Sequence, residues 1–255
     1  MQLEPQIRMA LTHRGDILLM SHLVLGYPSL DANREVIAAM VANGVDLIEL
    51  QIPFSEPVAD GPVILRANQS AIEQGIKVRQ CLEFAAEMTA THQIPFLFMT
   101  YYNILFKYGV TEFIAEARKI GIKGCIVPDL PPEEGEEYLQ AFHQHGLAPI
   151  QIFAPTSSDE RMRLLAGHCR GFVYCVARRG VTGAKTSFDD GFHQYLARCR
   201  AATDLPLAIG FGIAAPEDVA LLRGKAEIAV IGSATIRLIE EKGVAAVGPF
   251  IASLR

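Results

Sequence analysis

The chain alternates short β-rich segments with helical segments about eight times, and this repeat limits its fold more than any other feature. The segments typical of strands are residues 17–25, 45–52, 95–100, 124–128, 148–154, 171–177, 206–210 and 227–232. Helical patterns cover residues 31–42, 62–74, 79–91, 111–120, 132–145, 158–167, 190–200 and 216–223, and final helices follow the eighth strand. Short connections between each strand and the next helix are typical of parallel βαβ units.

Eight such units, with strands that are apolar on both faces, predict an all-parallel sheet that closes into a barrel. The predicted fold class is therefore α/β, a single (β/α)8 TIM barrel with parallel strands and an extra helix at the N-terminus. The length of 255 residues fits, because such barrels are commonly about 250 residues long. Since no linker or composition shift interrupts the chain, we expect residues 1–255 to form one domain. An open doubly wound sheet is the alternative, but no GxGxxG motif follows the first strand.

Composition excludes several classes of protein. The net charge of −5 and the lack of a basic stripe argue against nucleic acid as a partner. No apolar run is long enough to predict a membrane span, and the first 16 residues lack the apolar stretch of a signal peptide. The five cysteines are scattered and form no CxxC pair, which favours reduced thiols in a cytoplasm over disulfides or a metal site.

Glu49 is an acidic residue inside an apolar strand, close to the point where that strand ends. Strand periodicity puts Leu47, Glu49 and Gln51 on one face, and the wholly apolar opposite face is expected to pack on the helices. The C-terminal ends of barrel strands hold the ligand site. A carboxyl group in apolar surroundings there predicts general acid/base catalysis. A buried ion pair is the alternative, although no neighbouring strand offers an obvious inward lysine or arginine.

Two further carboxylates follow strands at the same predicted rim. Asp60 ends the proline-rich loop after the Glu49 strand, and Asp129 follows the strand over 124–128. Pairing with Glu49 on one βα loop favours a catalytic role for Asp60. Both residues also precede predicted helix starts, so each is equally a candidate helix cap.

Glycines cluster after the sixth, seventh and eighth predicted strands, at residues 180–183, 210–212 and 232. This is where barrels bind phosphate through backbone N–H groups and the N-terminus of a short helix. We therefore predict a phosphate site there, with the helix that starts near Ser233 contributing its positive end. Met99 and Tyr101 end the third strand, where they are expected to wall an apolar pocket. His22 and Tyr174 lie in strands, and a lone strand histidine is usually a core residue.

These features together resemble the α subunit of tryptophan synthase. The motifs that carry the resemblance lie at residues 25–28, 52–55, 59–62, 99–103, 127–131, 180–183, 210–213 and 232–234. They are collinear from about residue 25 to the C-terminus. The family cleaves indole-3-glycerol phosphate to indole and glyceraldehyde 3-phosphate by a retro-aldol reaction.

The resemblance implies a role for each matching residue. Glu49 matches the acid/base that protonates the indole ring at C3, and Asp60 matches the carboxylate that binds the indole N–H. The remaining residues implied to contact substrate are His22, Met99, Tyr101, Ile126, Asp129, Tyr174, Thr182, Gly183, Phe211, Gly212, Val230, Gly232 and Ser233. No cofactor is expected on this chain. The expected partner is a β subunit that carries pyridoxal phosphate, in an αββα heterotetramer.

Three residues depart from the family pattern. His22 replaces a usual phenylalanine or tyrosine, Gln51 a usual glycine, and Glu56 a usual aspartate in the loop that contacts the β subunit. Because Gln51 shares a face with Glu49, we expect its amide to approach the Glu49 carboxyl group. Two alternatives stay open. One is a free-standing indole-3-glycerol phosphate lyase, and the other is a catalytically weak barrel that only binds and activates β.

Overall fold

The computed structural model describes residues 1–176, 190–210 and 212–255. In these residues nine parallel strands form one sheet. The strands are β1 Leu18–Val24, β2 Leu47–Gln51, β3 Phe96–Met99, β4 Gly124–Ile126, β5 Ala148–Ile150, β6 Ile152–Phe153, β7 Val173–Val176, β8 Leu207–Gly210 and β9 Ile228–Ile231.

Twelve α-helices accompany the strands in the described part of the chain. They are α1 Leu3–Arg14, α2 Leu30–Ala42, α3 Pro62–Glu73, α4 Val78–Thr91, α5 Tyr102–Tyr108, α6 Val110–Lys119, α7 Glu136–His145, α8 Asp159–His168, α9 Asp190–Ala202, α10 Pro216–Leu222, α11 Ser233–Lys242 and α12 Val247–Ser253. None of these helices combines the length and the apolar character that a membrane crossing requires.

The sheet closes at the segment that the sequence predicts as the fifth strand. Its spatial order is β5-β4-β3-β2-β1-β9-β8-β7-β6, so β5 and β6 form its two ends. Gln151 alone separates them: its N–H donates to Sγ of Cys169 at 3.3 Å, and its carbonyl accepts the N–H of Tyr174 at 3.0 Å. The chain therefore changes its partner strand from β4 to β7 at Gln151, which joins the ends of the sheet. This confirms the predicted parallel (β/α)8 barrel.

Two apolar layers line the two faces of the sheet. The barrel interior is filled by side chains such as Leu18, Leu47 and Leu97, and α1 adds Leu3 and Ile7 to the same cluster. The other layer lies between the strands and the helices, and it contains Ile48, Leu50 and Ile52 with residues of the surrounding helices. The predicted alternation along β2 is confirmed, because its wholly apolar face packs on the helices. The expected extra helix at the N-terminus is α1.

Most predicted boundaries agree with the structure to within two residues, as is usual for helix and strand ends. One predicted helix begins later in the structure, and one helix was not predicted. The helix predicted over 132–145 begins at Glu136, because residues 131–135 form turns in which Pro131 and Pro132 accept the N–H groups of Glu134 and Gly135. Helix α5 was not predicted. Its first N–H group, that of Tyr102, is satisfied by the distant Asp129.

Candidate active site

A cavity of about 90 Å³ lies at the C-terminal ends of the strands, where barrels carry their active sites. Its lining residues come from strands and loops around the whole barrel: His22, Glu49, Ala59, Asp60, Ile64, Met99, Ile126, Pro128, Ile152, Tyr174, Val176, Gly210, Gly212, Val230, Gly232 and Ser233. A larger cavity of about 530 Å³ lies beside α1, near the N-terminal ends of the strands. Among the described residues that line it, the only carboxylate is that of Asp46, which is paired with Arg14 and Arg255, so the smaller cavity is the candidate site.

Glu49 points into the small cavity from β2 and pairs with a histidine of β1. The two residues are register partners, and Nδ1 of His22 lies 3.1 Å from Oε1 of Glu49. Both side chains are buried, with His22 4% and Glu49 3% exposed. The second carboxylate oxygen, Oε2, has no hydrogen-bond partner in the described part of the chain. The Glu49 carboxyl group is therefore held at one oxygen while the other remains available to a ligand.

Asp60 receives two hydrogen bonds on a single carboxylate oxygen. The Gln51 amide donates to Oδ2 at 2.6 Å, and the Tyr101 hydroxyl donates to the same atom at 3.1 Å. The expectation that Gln51 would contact Glu49 was therefore wrong. The loop after β2 brings Asp60 within hydrogen-bond distance of the Gln51 amide, which donates to Asp60 instead of to Glu49.

The loop that carries Asp60 is fastened at several points. Oδ1 of Asn68 on α3 accepts the N–H of Phe54 at 3.0 Å, and the Phe54 ring stacks on Tyr101 with 5.1 Å between centroids. The Tyr101 hydroxyl also accepts the N–H of Ala59 at 3.2 Å. Asp60 does not cap the following helix, because the N-cap of α3 is Gly61. The structure thus directs the Asp60 carboxylate into the cavity.

Burial and mutual charge set the protonation of these groups. Burial opposes the charged form of His22, but the charges of Glu49 and Asp60 and the hydrogen bond to Glu49 raise its pKa above the ordinary value. Burial raises the pKa of Asp60, and the His22 charge and the hydrogen bonds from Gln51 and Tyr101 partly oppose this. Burial, followed by the charges of Glu49 and Asp60, raises the pKa of Tyr174 and keeps its phenol neutral.

Apolar side chains form the remaining wall of the cavity. Of those expected to line it, Met99, Ile126, Val230 and Tyr174 do so. Gly210 makes room for the tyrosine ring, because a Cβ at this position would stand 2.8 Å from Cε1 and from the hydroxyl of Tyr174. From its sequence context, Gly210 is predicted only as part of the glycine-rich phosphate motif. An apolar wall opposite two carboxylates suits a flat, apolar ligand with a polar edge.

The predicted phosphate-binding residues lie at one side of the cavity. Gly232 and Ser233 form the N-terminus of α11, and Gly212 borders the cavity with a φ of +68°. No described atom lies within 4 Å of the position that a Cβ would take at Gly232, so the backbone there is open to a ligand. Unpaired N–H groups at a helix N-terminus attract anions. The remaining predicted contacts, Thr182, Gly183 and Phe211, fall outside the described residues.

Two predicted contacts lie behind the cavity wall rather than on it. The Asp129 carboxylate accepts the N–H of Tyr102 at 2.9 and 3.2 Å, and it is not among the lining residues. Asp129 therefore caps α5. The helix that the sequence predicts it to cap is a different one, the helix after Pro131. Tyr101 is the second predicted contact that does not line the cavity, and its hydroxyl donates a hydrogen bond to Asp60, which does. Ile64 and Ile152 line the cavity but were not predicted, since nothing in their local pattern separates them from other core residues.

Comparison with known proteins agrees with this geometry. The model of the family "Tryptophan synthase alpha chain" matches residues 9–247. A tryptophan synthase alpha chain from Desulfotalea psychrophila is 65% identical over 240 residues, which cover 94% of this chain and 94% of that protein. One from Syntrophotalea carbinolica is 56% identical over 253 residues, covering 99% and 100%. A solved structure of Mycobacterium tuberculosis tryptophan synthase superimposes with a TM-score of 0.92 at 31% identity, covering 99% of this chain and 96% of that one.

Proposed function

Because the chain belongs to the tryptophan synthase alpha chain family, we propose that its small cavity binds indole-3-glycerol phosphate and cleaves it to indole and glyceraldehyde 3-phosphate. This is the carbon–carbon lyase reaction of the alpha subunit in tryptophan biosynthesis. One observation supports the assignment above the others. Two buried carboxylates, Glu49 and Asp60, face one apolar cavity that ends at an open helix N-terminus.

Glu49 is the proposed general acid and base. Its Oε2 gives a proton to C3 of the indole ring, and the ring becomes a cation with its charge on nitrogen. The bond between C3 and the glycerol chain then breaks, and its electron pair returns to the ring. The neighbouring hydroxyl becomes the aldehyde and returns a proton to Glu49. The free Oε2 and the anchored Oε1 support this assignment, because a proton donor must be held at a fixed angle to the reacting carbon.

Asp60 is the proposed stabiliser of the ring cation. A carboxylate near the indole N–H becomes more favourable as positive charge develops on nitrogen, and it does so most strongly in a site shielded from water. Gln51 and Tyr101 orient the group by donating to the same oxygen, which leaves Oδ1 for the substrate. The phosphate is proposed to bind at Gly212, Gly232 and Ser233 of the cavity lining and at Gly183. Thr182 is proposed to contact the substrate from the same glycine-containing segment.

The indole ring is proposed to contact Met99, Tyr174 and Val230, together with His22, Ile126 and Phe211. Pyridoxal phosphate belongs to the beta subunit of the family. We propose no cofactor on this chain; the described residues that line the small cavity include no lysine that could form a Schiff base with pyridoxal phosphate. Residues 1–255 are proposed to act as one domain, supported by a single sheet that runs from β1 to β9. A cytoplasmic location is proposed from the five buried free thiols.

The partner is a tryptophan synthase beta subunit, and we propose that it docks beside the mouth of the small cavity in an αββα assembly. Two apolar side chains near the mouth support this position. Val58, in the loop after β2, is 73% exposed, and Phe106, on α5, is 68% exposed. Both segments follow strands at the end of the barrel that carries the cavity, so a partner docked there would cover these side chains. The short path from the cavity mouth to a partner would deliver indole without release.

Indole release from indole-3-glycerol phosphate tests the function directly. Glu49→Gln should fold normally and lose turnover by at least about 10²-fold, because the amide cannot exchange the proton. Glu87→Gln provides the control, since Glu87 is exposed and pairs with Arg34 far from the cavity. Circular dichroism of both variants checks folding. Near-wild-type turnover in Glu49→Gln would overturn the assignment of the acid.

A further inference from the structure

His22 is the only histidine, lysine or arginine among the described residues that line the small cavity. The titratable groups that share this cavity are Glu49 on β2, Asp60 in the loop after β2 and Tyr174 on β7. The neighbouring elements β9, α3 and α11 contribute Val230, Ile64 and Ser233, which carry no charge. One histidine therefore faces two carboxylates in a site from which water is largely excluded.

The contact between His22 and Glu49 is fixed by the sheet and not by flexible loops. Their strands are adjacent and parallel, the two residues are register partners, and Nδ1 and Oε1 are 3.1 Å apart. A pair this close binds and releases protons as a unit, so its ionisations belong to the pair and not to either residue. The charges of Glu49 and Asp60 around His22 favour its charged form.

We propose that His22 is a positioning residue that shares one proton with Glu49, so that the pair remains protonated at a higher pH than a lone carboxyl group would. This inference rests on the proposed role of Glu49 as the acid. In the singly protonated pair, the proton resides either on the imidazole or on Glu49, and only the second form delivers it to the substrate. After delivery, the Glu49 carboxylate accepts Nδ1–H of His22, and the substrate hydroxyl then returns the proton to Glu49.

The shared proton determines both the alkaline limb and the plateau of the pH–rate profile. Turnover should fall at alkaline pH as the pair loses its last proton, at a pH above the ordinary histidine value of about 6.5. The plateau below that pH should be limited by the fraction of pairs that carry the proton on Glu49. Replacing the imidazole by an apolar ring removes both effects.

The test is the pH–rate profile of indole release by the wild-type chain and by His22→Phe. The alkaline limb should move toward acid by at least about 1 pH unit, because carboxyl groups hold protons less tightly than imidazoles. The plateau should rise, because no imidazole then competes with Glu49 for the proton. His143→Phe is the control, since His143 is exposed on α7 and away from the small cavity. If the alkaline limb does not move in His22→Phe, whatever happens to the plateau, His22 has only a structural role.

A second measurement does not depend on activity or on the folding of His22→Phe. The imidazole of His22 is titrated by NMR in the wild-type chain and in Glu49→Gln. Its pKa should lie above 6.5 in the wild type and fall in Glu49→Gln. Titration at or below 6.5 in the wild type would overturn the shared proton. Loss of turnover in Glu49→Gln with an unmoved limb in His22→Phe would refute this inference alone, whereas retained turnover in Glu49→Gln would refute the proposed function.

Discussion

Replacing Gln51 by methionine removes the shorter of the two hydrogen bonds that reach Asp60, and it should move the acid limb of the pH–rate profile toward neutral pH. The Gln51 amide donates to Oδ2 of Asp60 at 2.6 Å from a fully buried position. The amide oxygen has no hydrogen-bond partner in the described part of the chain, so methionine sacrifices only this one bond. Its similar volume also limits the disturbance of packing.

The size of the effect follows from the charge on the acceptor. A hydrogen bond to a charged group contributes about 1.5–3 kcal/mol, and about 1.4 kcal/mol corresponds to one pH unit in a titration. Complete loss of the bond would therefore raise the pKa of Asp60 and move the acid limb toward neutral pH by about 1–2 pH units. We expect about 1, because the Tyr101 hydroxyl still donates to the same oxygen at 3.1 Å.

The acid limb moves toward neutral pH because Asp60 acts in its ionised form. Burial already raises its pKa, and the Gln51 bond lowers it. The ionised form is required to stabilise the ring cation, and it is lost as the pH falls through the pKa of Asp60. A further rise in that pKa therefore brings the loss of activity to a higher pH.

The assay is kcat/KM for indole release as a function of pH. Gln151→Met is the matched control, because Gln151 is also a buried glutamine but lies between β5 and β6 and not on the cavity. Its acid limb should coincide with that of the wild type. An acid limb of Gln51→Met that stays in place, or moves further toward acid, would refute the reasoning that the amide tunes Asp60.

Two other changes test the cavity. Asp60→Asn should bind substrate but lose about 10²-fold in kcat, since an amide cannot stabilise the ring cation. The control is Asp218→Asn, which weakens the cap of α10 and should retain kcat. Equal kcat in the two variants would show that Asp60 takes no part in the chemistry. Gly212→Val should raise KM sharply, because it forces a β-branched residue to a φ of +68° beside the proposed phosphate site. The control is Gly224→Val, at a φ of +73° away from the small cavity, which should lose stability and keep its KM. Similar KM values for the two glycine variants would contradict the phosphate assignment.

Several properties of the site could be predicted from single segments of sequence. The position of Glu49 on the inner face of β2 follows from a two-residue period, and the structure confirms it. The rim position of Asp60 follows from the loop that ends the strand. By contrast, the partner of Asp60 could not be predicted, because the path of residues 52–60 depends on Asn68 and Tyr101, which lie in other elements.

The parallel barrel, the inner and outer faces of its strands and the two acidic residues at its rim can all be predicted from the amino-acid sequence, because these properties depend on periodicity and on the order of segments along the chain. Which side chains meet depends on how the whole chain packs. The tertiary structure pairs His22 with Glu49, turns Gln51 to Asp60 and makes Asp129 the cap of α5. These contacts depend on the register between strands and on loop paths, and they join residues up to 27 positions apart, whose distance in space is set by the packing of the whole barrel.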